Sequence, residues 1–303
     1  MEDFIVGFLA ATLRIATPLM FGTLGELFCE RAGILNLGIE GTMFFGAFVG
    51  FAAAAKTGSL MIGLLAAILA GILAGLLMSL LTVILGVNQH VSGLGITLLL
   101  TALAMFGFNL IFGANRVLPS IESFPQIKLL GDIPILGEIF TQYGLTYVAI
   151  LLIPLCAWVL YHTSFGLNLR SVGQNPEATD AAGINVYGLR TVALMIGGAL
   201  ISVGGAFLSL AQLGTFTFGI INGRGWVCIA LIIFANWEPI RVFWGALLFG
   251  GVSALQLRLQ LTGLKLPYEA FLALPYVVTI IALSLAGRNA SYPAALLKPY
   301  KRE

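Results

Sequence analysis

Three carboxylates in a mostly apolar stretch are the first residues whose chemistry needs an explanation. Glu26, Glu30 and Glu40 lie in "ELFCERAGILNLGIEG", with Asn36 between them. Charged groups are costly inside a bilayer and mark either a solute pathway or a structural ion pair. Irregular backbone at that depth is tolerated only where protein or a water-filled cavity satisfies its polar groups. We therefore predict a broken helix near residues 30–41 and nominate Asn36 and Glu40 as pathway candidates.

Two other interpretations of this stretch stay open from the sequence. In the first, it is an ordinary cytoplasmic turn in which Arg31 pairs with Glu30 or Glu26. In the second, the chain is a secondary transporter that works alone, and Glu26, Glu30 and Glu40 bind a proton or a sodium ion. Gradient-driven uptake by the purified chain, without ATP or partners, would favour the second interpretation.

A second polar stretch repeats part of the first. "FGIINGRGW", residues 218–226, contains Gly219-Ile-Ile-Asn222, which echoes Gly33-Ile-Leu-Asn36. Transporters built from inverted repeats carry such interrupted helices in corresponding positions, and the breaks meet near the membrane centre. The echo predicts a second broken helix near residues 214–226 and makes Asn222 the third pathway candidate.

A third polar stretch, "SVGQNPEATDAAGINVYG", has the signals of a short helix with both ends capped. Asn175 suits the N-cap, Pro176 the first helical position and Glu177 the first turn. Gly183 is the usual residue at a left-handed C-cap. The predicted helix has about two turns and exposes small residues such as Ala178, so it suits a partner's groove. A helix lying on the membrane would instead carry basic and bulky apolar residues, which are missing between Asn175 and Ala182.

Candidates for catalysis or metal binding are weak. His90 and His162 are far apart and have no acidic partner, and nothing provides a base for Ser92 as an intramembrane nucleophile. "GFAAAAKT", residues 50–57, is similar to a phosphate-binding loop, but Ala55 replaces the glycine that close phosphate approach requires. We predict no catalytic residue, no metal site and no nucleotide-binding loop in this chain.

The composition requires a membrane. Of the 303 residues, 59% are hydrophobic and 9% are charged, whereas a soluble domain needs about a quarter charged residues to cover its surface. The net charge of +2 leaves no basic patch for nucleic acid. Cys29, Cys156 and Cys228 show no metal spacing and are expected to be small buried hydrophobes.

The apolar runs predict an all-α polytopic membrane protein with about nine (8–10) transmembrane helices in a single domain, 1–303. The predicted spans lie near 4–28, 41–56, 59–86, 91–112, 145–161, 191–213, 225–236, 240–258 and 268–286. The densest positive cluster follows the last of them and contains Arg288, Lys298, Lys301 and Arg302. The positive-inside rule places this cluster and the loop 162–190 in the cytoplasm, and the N-terminus and the loop 113–144 outside.

Several stretches together resemble the permease subunits of bacterial ABC importers. "EATDAAG", Glu177–Gly183, is similar to their E-A-A-x-x-x-G signature, with Thr179 in place of the second alanine. "GLNLRSVGQNPEATDAAGINV" resembles the coupling-helix region of the subgroup that imports ribose, other simple sugars, nucleosides and branched-chain amino acids. "ERAGILNLGIEG" and "NQHVSGLGITLLL" are most similar to the simple-sugar or nucleoside branch. Order and spacing agree from about Phe4 to Gly287.

The resemblance implies a transport subunit in the bacterial plasma membrane, without a cofactor. ATP would be hydrolysed by separate ATP-binding cassette subunits, which would dock on a coupling helix near 175–183. By carry-over, Glu177, Ala178 and Gly183 belong to that contact, and Asn175 and Pro176 begin the helix.

The remaining implied partners are a second permease subunit and an extracytoplasmic binding protein. The second permease would be a longer relative that forms a heterodimer with this chain, and a lipoprotein or periplasmic protein would deliver the solute. The branch favours a nucleoside, then a simple sugar, then a branched-chain amino acid. Relatives tend to carry Asn near Thr97, so specificity depends on whether that residue touches the solute.

Overall fold

Capping residues and glycines divide the apolar chain into helices. The computed structural model describes residues 2–113, 119–128, 137, 139–261, 268–286 and 291–301. These residues form eleven α-helices: α1 Glu2–Arg31, α2 Ile39–Thr57, α3 Leu60–Ser79, α4 Gln89–Phe112, α5 Gly144–His162, α6 Ser164–Gln174, α7 Pro176–Ala181, α8 Val186–Phe207, α9 Arg224–Ala235, α10 Pro239–Leu261 and α11 Tyr268–Ala286. One π-helical turn extends α3 over Leu80–Ile84, and another extends α8 over Leu208–Gln212.

Side-chain caps explain where several helices begin. The hydroxyl of Ser59 accepts from the N–H of Ile62 before α3, and Asn88 accepts from His90 and Val91 before α4. Such caps satisfy the first N–H groups of a helix, which have no partner inside it. Two short strands, β1 Gln126–Lys128 and β2 Thr141–Tyr143, pair antiparallel just before α5.

All nine predicted spans coincide with helices, but not all nine have the length and hydropathy of a span. Within the part of the chain that the structure describes, six helical stretches are long and apolar enough to cross a membrane: Ile5–Arg31, Leu60–Ile84, Gln89–Phe112, Gly144–His162, Val186–Gln212 and Pro239–Gln260. Helix α9 has 12 residues, as expected for a half-helix. The chain is a multi-pass membrane protein, and the number nine stays a prediction.

Helix α8 lies at the centre of the bundle because glycines let its neighbours approach its backbone. A Cβ on Gly71 of α3 would lie 2.2 Å from the carbonyl oxygen of Gly198, and one on Gly25 of α1 would lie 2.5 Å from that of Gly197. A Cβ on Gly46 of α2 would lie 2.2 Å from the Ser202 hydroxyl. Small residues at helix contacts permit this close packing in membranes. These glycines therefore allow α1, α2 and α3 to pack tightly against α8.

Gly205→Ala is expected to destabilise the protein by about 1–3 kcal/mol, the usual cost of overpacking. The new Cβ would lie 1.8 Å from the carbonyl oxygen of Met43, so α2 and α8 must separate. Gly95→Ala on α4 is the matched control, since no atom lies within 4 Å of its Cβ position. Thermal unfolding in detergent should show a lower midpoint for the first variant alone. Equal midpoints for the two variants would contradict the packing argument.

The two ends of the bundle gather different loops. At one end, called here the α7 end, the Arg190 guanidinium donates to the Ala32 carbonyl at 3.2 Å, and the Ala295 N–H donates to the Gly173 carbonyl at 2.9 Å. At the far end, the Ile121 N–H donates to the Gly214 carbonyl at 2.8 Å. The α7 end contains residues 29–38, 162–190, 236–237 and 291–301, and the far end contains 119–128 and 213–218.

Two features of the loops differ from the expectation or fall outside it. The predicted cytoplasmic loop 162–190 contains an additional helix, α6, whose N-cap Thr163 accepts from the Gly166 N–H at 3.1 Å. Parts of the predicted external loop, 114–118, 129–136 and 138, lie outside the described residues, as do Arg288 and Arg302 of the basic cluster.

The three cysteines are free thiols enclosed by the bundle. Cys29 and Cys228 have no exposed surface, and Cys156 is 5% exposed. Their environment is that of small apolar residues in a core, as the sequence predicts.

Candidate functional site

The first break in the helices is held by buried side chains. Helix α1 ends at Arg31 and α2 begins at Ile39, so residues 32–38 have no helical hydrogen-bond ladder. The Asn36 N–H donates to Glu26 Oε1 at 2.7 Å, and the Leu35 N–H donates to the Gln89 side-chain oxygen at 2.8 Å. These bonds satisfy irregular backbone that lipid could not.

Asn36 belongs to the framework of this break. It is 2% exposed, and its side-chain oxygen accepts from the Gly38 N–H at 3.0 Å. Thr97, at the position where the sequence departs from the resemblance, donates its hydroxyl to the Leu37 carbonyl at 2.9 Å. Thr97 thus supports the same break.

The second break follows α8 and is joined to the first by Glu40. The last residues of the second break, Asn222 and Gly223, have left-handed backbone conformations, with φ of 50° and 81°. Glu40 Oε1 accepts from the Gly223 N–H at 2.9 Å, and Oε2 accepts from the Gly225 N–H at 2.7 Å. A carboxylate in this position complements the N-terminal dipole of α9. The two broken segments therefore meet, as the repeated motif suggests.

Among the described residues, Arg31 forms no salt bridge with a carboxylate, so the Arg31–Glu pair predicted in the first alternative is wrong. The Arg31 guanidinium donates to the Trp237 carbonyl at 2.6 and 3.0 Å and to the Tyr161 hydroxyl at 3.0 Å. Glu30 accepts from the Trp237 indole N–H at 2.5 Å. Both side chains instead anchor the turn between α9 and α10, far along the sequence.

A polar cavity of about 330 Å³ lies beside the second break. This volume is within the range of small-molecule sites. Helices α1, α9, α10 and α11 enclose it together with the end of α8. Its polar lining consists of Gln212, Asn222, Arg224, Ser253, Gln256, Gln260, Tyr276 and Thr279. So many hydrogen-bonding side chains inside a membrane bundle are the arrangement expected of a path for a polar solute.

Two amide groups in this lining have buried atoms without a partner among the described residues. They are Gln212 Oε1 and Gln260 Nε2. An unsatisfied buried polar atom costs about 1–3 kcal/mol. A solute with its own donors and acceptors would recover that cost.

Of the three predicted pathway residues, only Asn222 lines the cavity directly. Glu40 holds the backbone beside Asn222 in place. Asn36 lies in the other break. The α10 residues of the lining were not predicted, although Ser253, Gln256 and Gln260 follow one another at helical spacing. That stripe is the signal that could have revealed them.

The short helix α7 has the caps that the sequence predicts. Asn175 Oδ1 accepts from the Ala178 N–H at 3.0 Å, and Pro176 occupies the first helical position. Gly183 is left-handed, with φ of 83°, and its N–H donates to the Asp180 carbonyl at 2.8 Å. Each end of the helix is therefore fixed locally.

The surface of α7 is small and open. Glu177, Ala178 and Gly183 are exposed, and no atom lies within 4 Å of a Cβ built on Gly183. Thr179, which replaces the second alanine of the signature, is 5% exposed and donates its hydroxyl to the Asn175 carbonyl at 2.7 Å. The replacement faces inward and leaves the outer surface unchanged. A shallow groove of about 350 Å³ runs beside it.

The family described as "branched-chain amino acid transport system / permease component" matches residues 8–283. The putative glucose ABC transporter permease protein TsgC13 of Haloferax volcanii is 38% identical, over 99% of each chain. The nucleoside ABC transporter permease protein NupC of Lactococcus lactis is 37% identical, over 94% of each chain. The guanosine ABC transporter permease protein NupQ of Bacillus subtilis is 36% identical, over 96% of this chain and 95% of its own. Bacillus subtilis has a second similar guanosine permease, NupP, at 27% identity over 94% of this chain and 82% of its own.

Proposed function

Because the chain belongs to the family of permease components of branched-chain amino acid transport systems and is an ABC transporter permease subunit, we propose that it carries a nucleoside across the membrane. The observation that carries the proposal is the amide-lined cavity beside the second helix break. The names of two relatives, for nucleosides and for guanosine, favour the same solute class.

A nucleoside suits the lining chemically. Side-chain amides offer both a donor and an acceptor, as the edge of a nucleobase does. Tyr276 also lines the cavity and offers an aromatic face, on which a base stacks with a gain of about 1–3 kcal/mol. Gln212, Gln256 and Gln260 would bind the base edge or the ribose hydroxyls.

A simple sugar is the second candidate. The relative of Haloferax volcanii is named for glucose and is 38% identical to this chain. Sugar hydroxyls would bind the same amides, but a sugar has no aromatic base to stack. Competition for uptake between unlabelled guanosine and unlabelled glucose therefore separates the two candidates.

Transport requires a separate motor, which we place on α7. Asn175 and Pro176 begin this helix, and Glu177, Ala178 and Gly183 would contact an ATP-binding cassette subunit. On that assignment the loop 162–190 and the tail lie in the cytoplasm, the loop 113–144 lies outside with the N-terminus, and the single domain 1–303 crosses the membrane about nine times. The membrane would be a bacterial plasma membrane.

Two further partners complete the proposed assembly. A second, longer permease would form a heterodimer with this chain, which the presence of two guanosine permeases in one relative's organism supports. An extracytoplasmic binding protein would deliver the solute. The secondary-transporter alternative loses support because all three carboxylates have structural partners. Glu26 and Glu40 accept from backbone N–H groups of the two helix breaks, and Glu30 accepts from the Trp237 indole between α9 and α10.

Gln256→Leu is expected to lower guanosine uptake about tenfold, the effect of losing one hydrogen bond worth about 1.4 kcal/mol. The measurement is ATP-dependent uptake of labelled guanosine by the assembled transporter in liposomes. Gln126→Leu makes the same change on an exposed strand residue and should leave uptake unchanged. If unlabelled glucose suppresses the uptake and unlabelled guanosine does not, the solute is a sugar and the nucleoside proposal is wrong. Equal uptake by both variants would remove Gln256 from the pathway.

A further inference from the structure

The segment 291–301, called here the C-terminal tail, packs against the base of α7. The Ala295 N–H donates to the Gly173 carbonyl at 2.9 Å, next to the Gln174 that ends α6. Further along, the Tyr300 hydroxyl donates to Asp180 Oδ2 at 2.8 Å. The tail therefore holds α7 from the residues before the helix and from the helix itself.

The same tail reaches two other parts of the α7 end. The Ser291 N–H donates to the Asn236 side-chain oxygen at 2.7 Å, where Asn236 is the C-cap of α9. The Tyr300 ring lies 5.6 Å from the ring of Tyr187, in the first turn of α8. Thus one segment contacts α7, the start of the central helix and the end of the half-helix beside the cavity.

Helix α7 needs such support because it is too short to hold its own direction. It has six residues, and isolated helices of this length are unstable in water. Its own caps fix where it begins and ends, but they do not fix its angle to the bundle. The bond from Tyr300 to Asp180 supplies a fixed point outside the helix.

We propose that the C-terminal tail is a positioning strap that links α7 to α9, with Tyr300 as its main positioning residue. The proposal rests on the proposed function of α7 as the contact for the ATP-binding subunit. When the motor pushes α7, the tail would transmit part of that displacement to Asn236. Asn236 is the C-cap of helix α9, and Arg224 at the other end of this helix lines the cavity, so the displacement would reach the solute path.

Tyr300→Phe tests the strap because it removes the hydroxyl and keeps the ring beside Tyr187. In the assembled transporter the variant should move about tenfold less guanosine per ATP hydrolysed, a factor typical of a lost bond to a charged acceptor. Co-purification of the ATP-binding subunit should stay normal. Tyr292→Phe is the matched control, since Tyr292 is 63% exposed in the same tail.

A second measurement reports on positioning without transport. Hydrogen–deuterium exchange of the amides in α7, in the same complex, should rise in Tyr300→Phe and stay unchanged in Tyr292→Phe. Asp180→Ala, which removes the acceptor of this bond, should behave like Tyr300→Phe, and the double variant should be no worse than either. If the exchange of the α7 amides is unchanged in Tyr300→Phe, or if the transport losses of the two single variants add in the double variant, the strap proposal is wrong. If the wild-type complex does not transport guanosine, but the exchange of α7 rises in Tyr300→Phe as expected, the proposed function is wrong and the strap is not.

Discussion

Gly183→Trp is expected to abolish ATP-driven uptake, with a loss of at least about a hundredfold, equivalent to about 2.7 kcal/mol of lost coupling. The residue is exposed at the end of α7, and no atom lies within 4 Å of its Cβ position, so the new side chain begins in open space. It would instead fill the surface that a partner's groove must cover. The left-handed φ of 83° adds about 1–2 kcal/mol of strain for an L-residue. A stable domain tolerates that cost.

Gly58→Trp is the control for both effects of this change. Gly58 is also left-handed, with φ of 70°, and also has no atom within 4 Å of its Cβ position, but it follows α2 and lies away from α7. Co-purification of the ATP-binding subunit with tagged permease should fail for Gly183→Trp and succeed for Gly58→Trp. If both variants retain the subunit and transport normally, α7 is not the contact.

Glu40→Gln is expected to cost about 3 kcal/mol of stability and to reduce uptake about a hundredfold. Glu40 accepts from two backbone N–H groups at the start of α9. An amide has one oxygen and one NH₂ group, so one of the two N–H groups would face another donor. Hydrogen bonds to charged acceptors are worth about 1.5–3 kcal/mol each. The start of α9 would then detach, and Asn222 in the cavity wall would move with it.

Glu269→Gln is the matched control for Glu40→Gln. Glu269 is an exposed carboxylate in the first turn of α11, so both changes neutralise a glutamate near a helix N-terminus. The thermal midpoint in detergent and the uptake per permease molecule should fall for Glu40→Gln alone. A stable Glu40→Gln variant with normal uptake would show that the bridge between the two breaks is dispensable.

Local signals were sufficient to predict α7 and both helix breaks. Asn175, Pro176 and Gly183 act through hydrogen bonds and φ angles within a few residues, so the sequence contains all that the caps require. The breaks were predictable because Gly33 and Asn222 stand in polar runs that no continuous apolar helix would contain. Their meeting through Glu40 was suggested only by the echo between the two motifs.

The features that could not be predicted from the sequence depend on contacts between distant segments. Arg31 finds its acceptor at Trp237, 206 residues away, and no local pattern identifies a backbone carbonyl as a partner. The cavity lining was not predicted because nothing in the local sequence distinguishes Gln256 and Gln260 from other polar residues. Only the packing of α10 beside α9 brings them into the cavity wall. The helix α6 was missed because "SFGLNLRSVGQ" has 11 residues, two of them glycines, and is too short and too polar to be a membrane span. Its packing on the end of α1 stabilises it: a Cβ on Gly173 would lie 2.1 Å from the Arg31 carbonyl oxygen.

The enclosed thiols of Cys29, Cys156 and Cys228 have a practical consequence. Maleimide reagents react with accessible thiols, so the natural protein offers them little to modify. A single cysteine introduced at an open position such as 58 or 183 would then carry nearly all the label. Membrane-impermeant and permeant reagents, added to intact cells, would report which side of the bilayer each position faces. No native cysteine needs to be removed first.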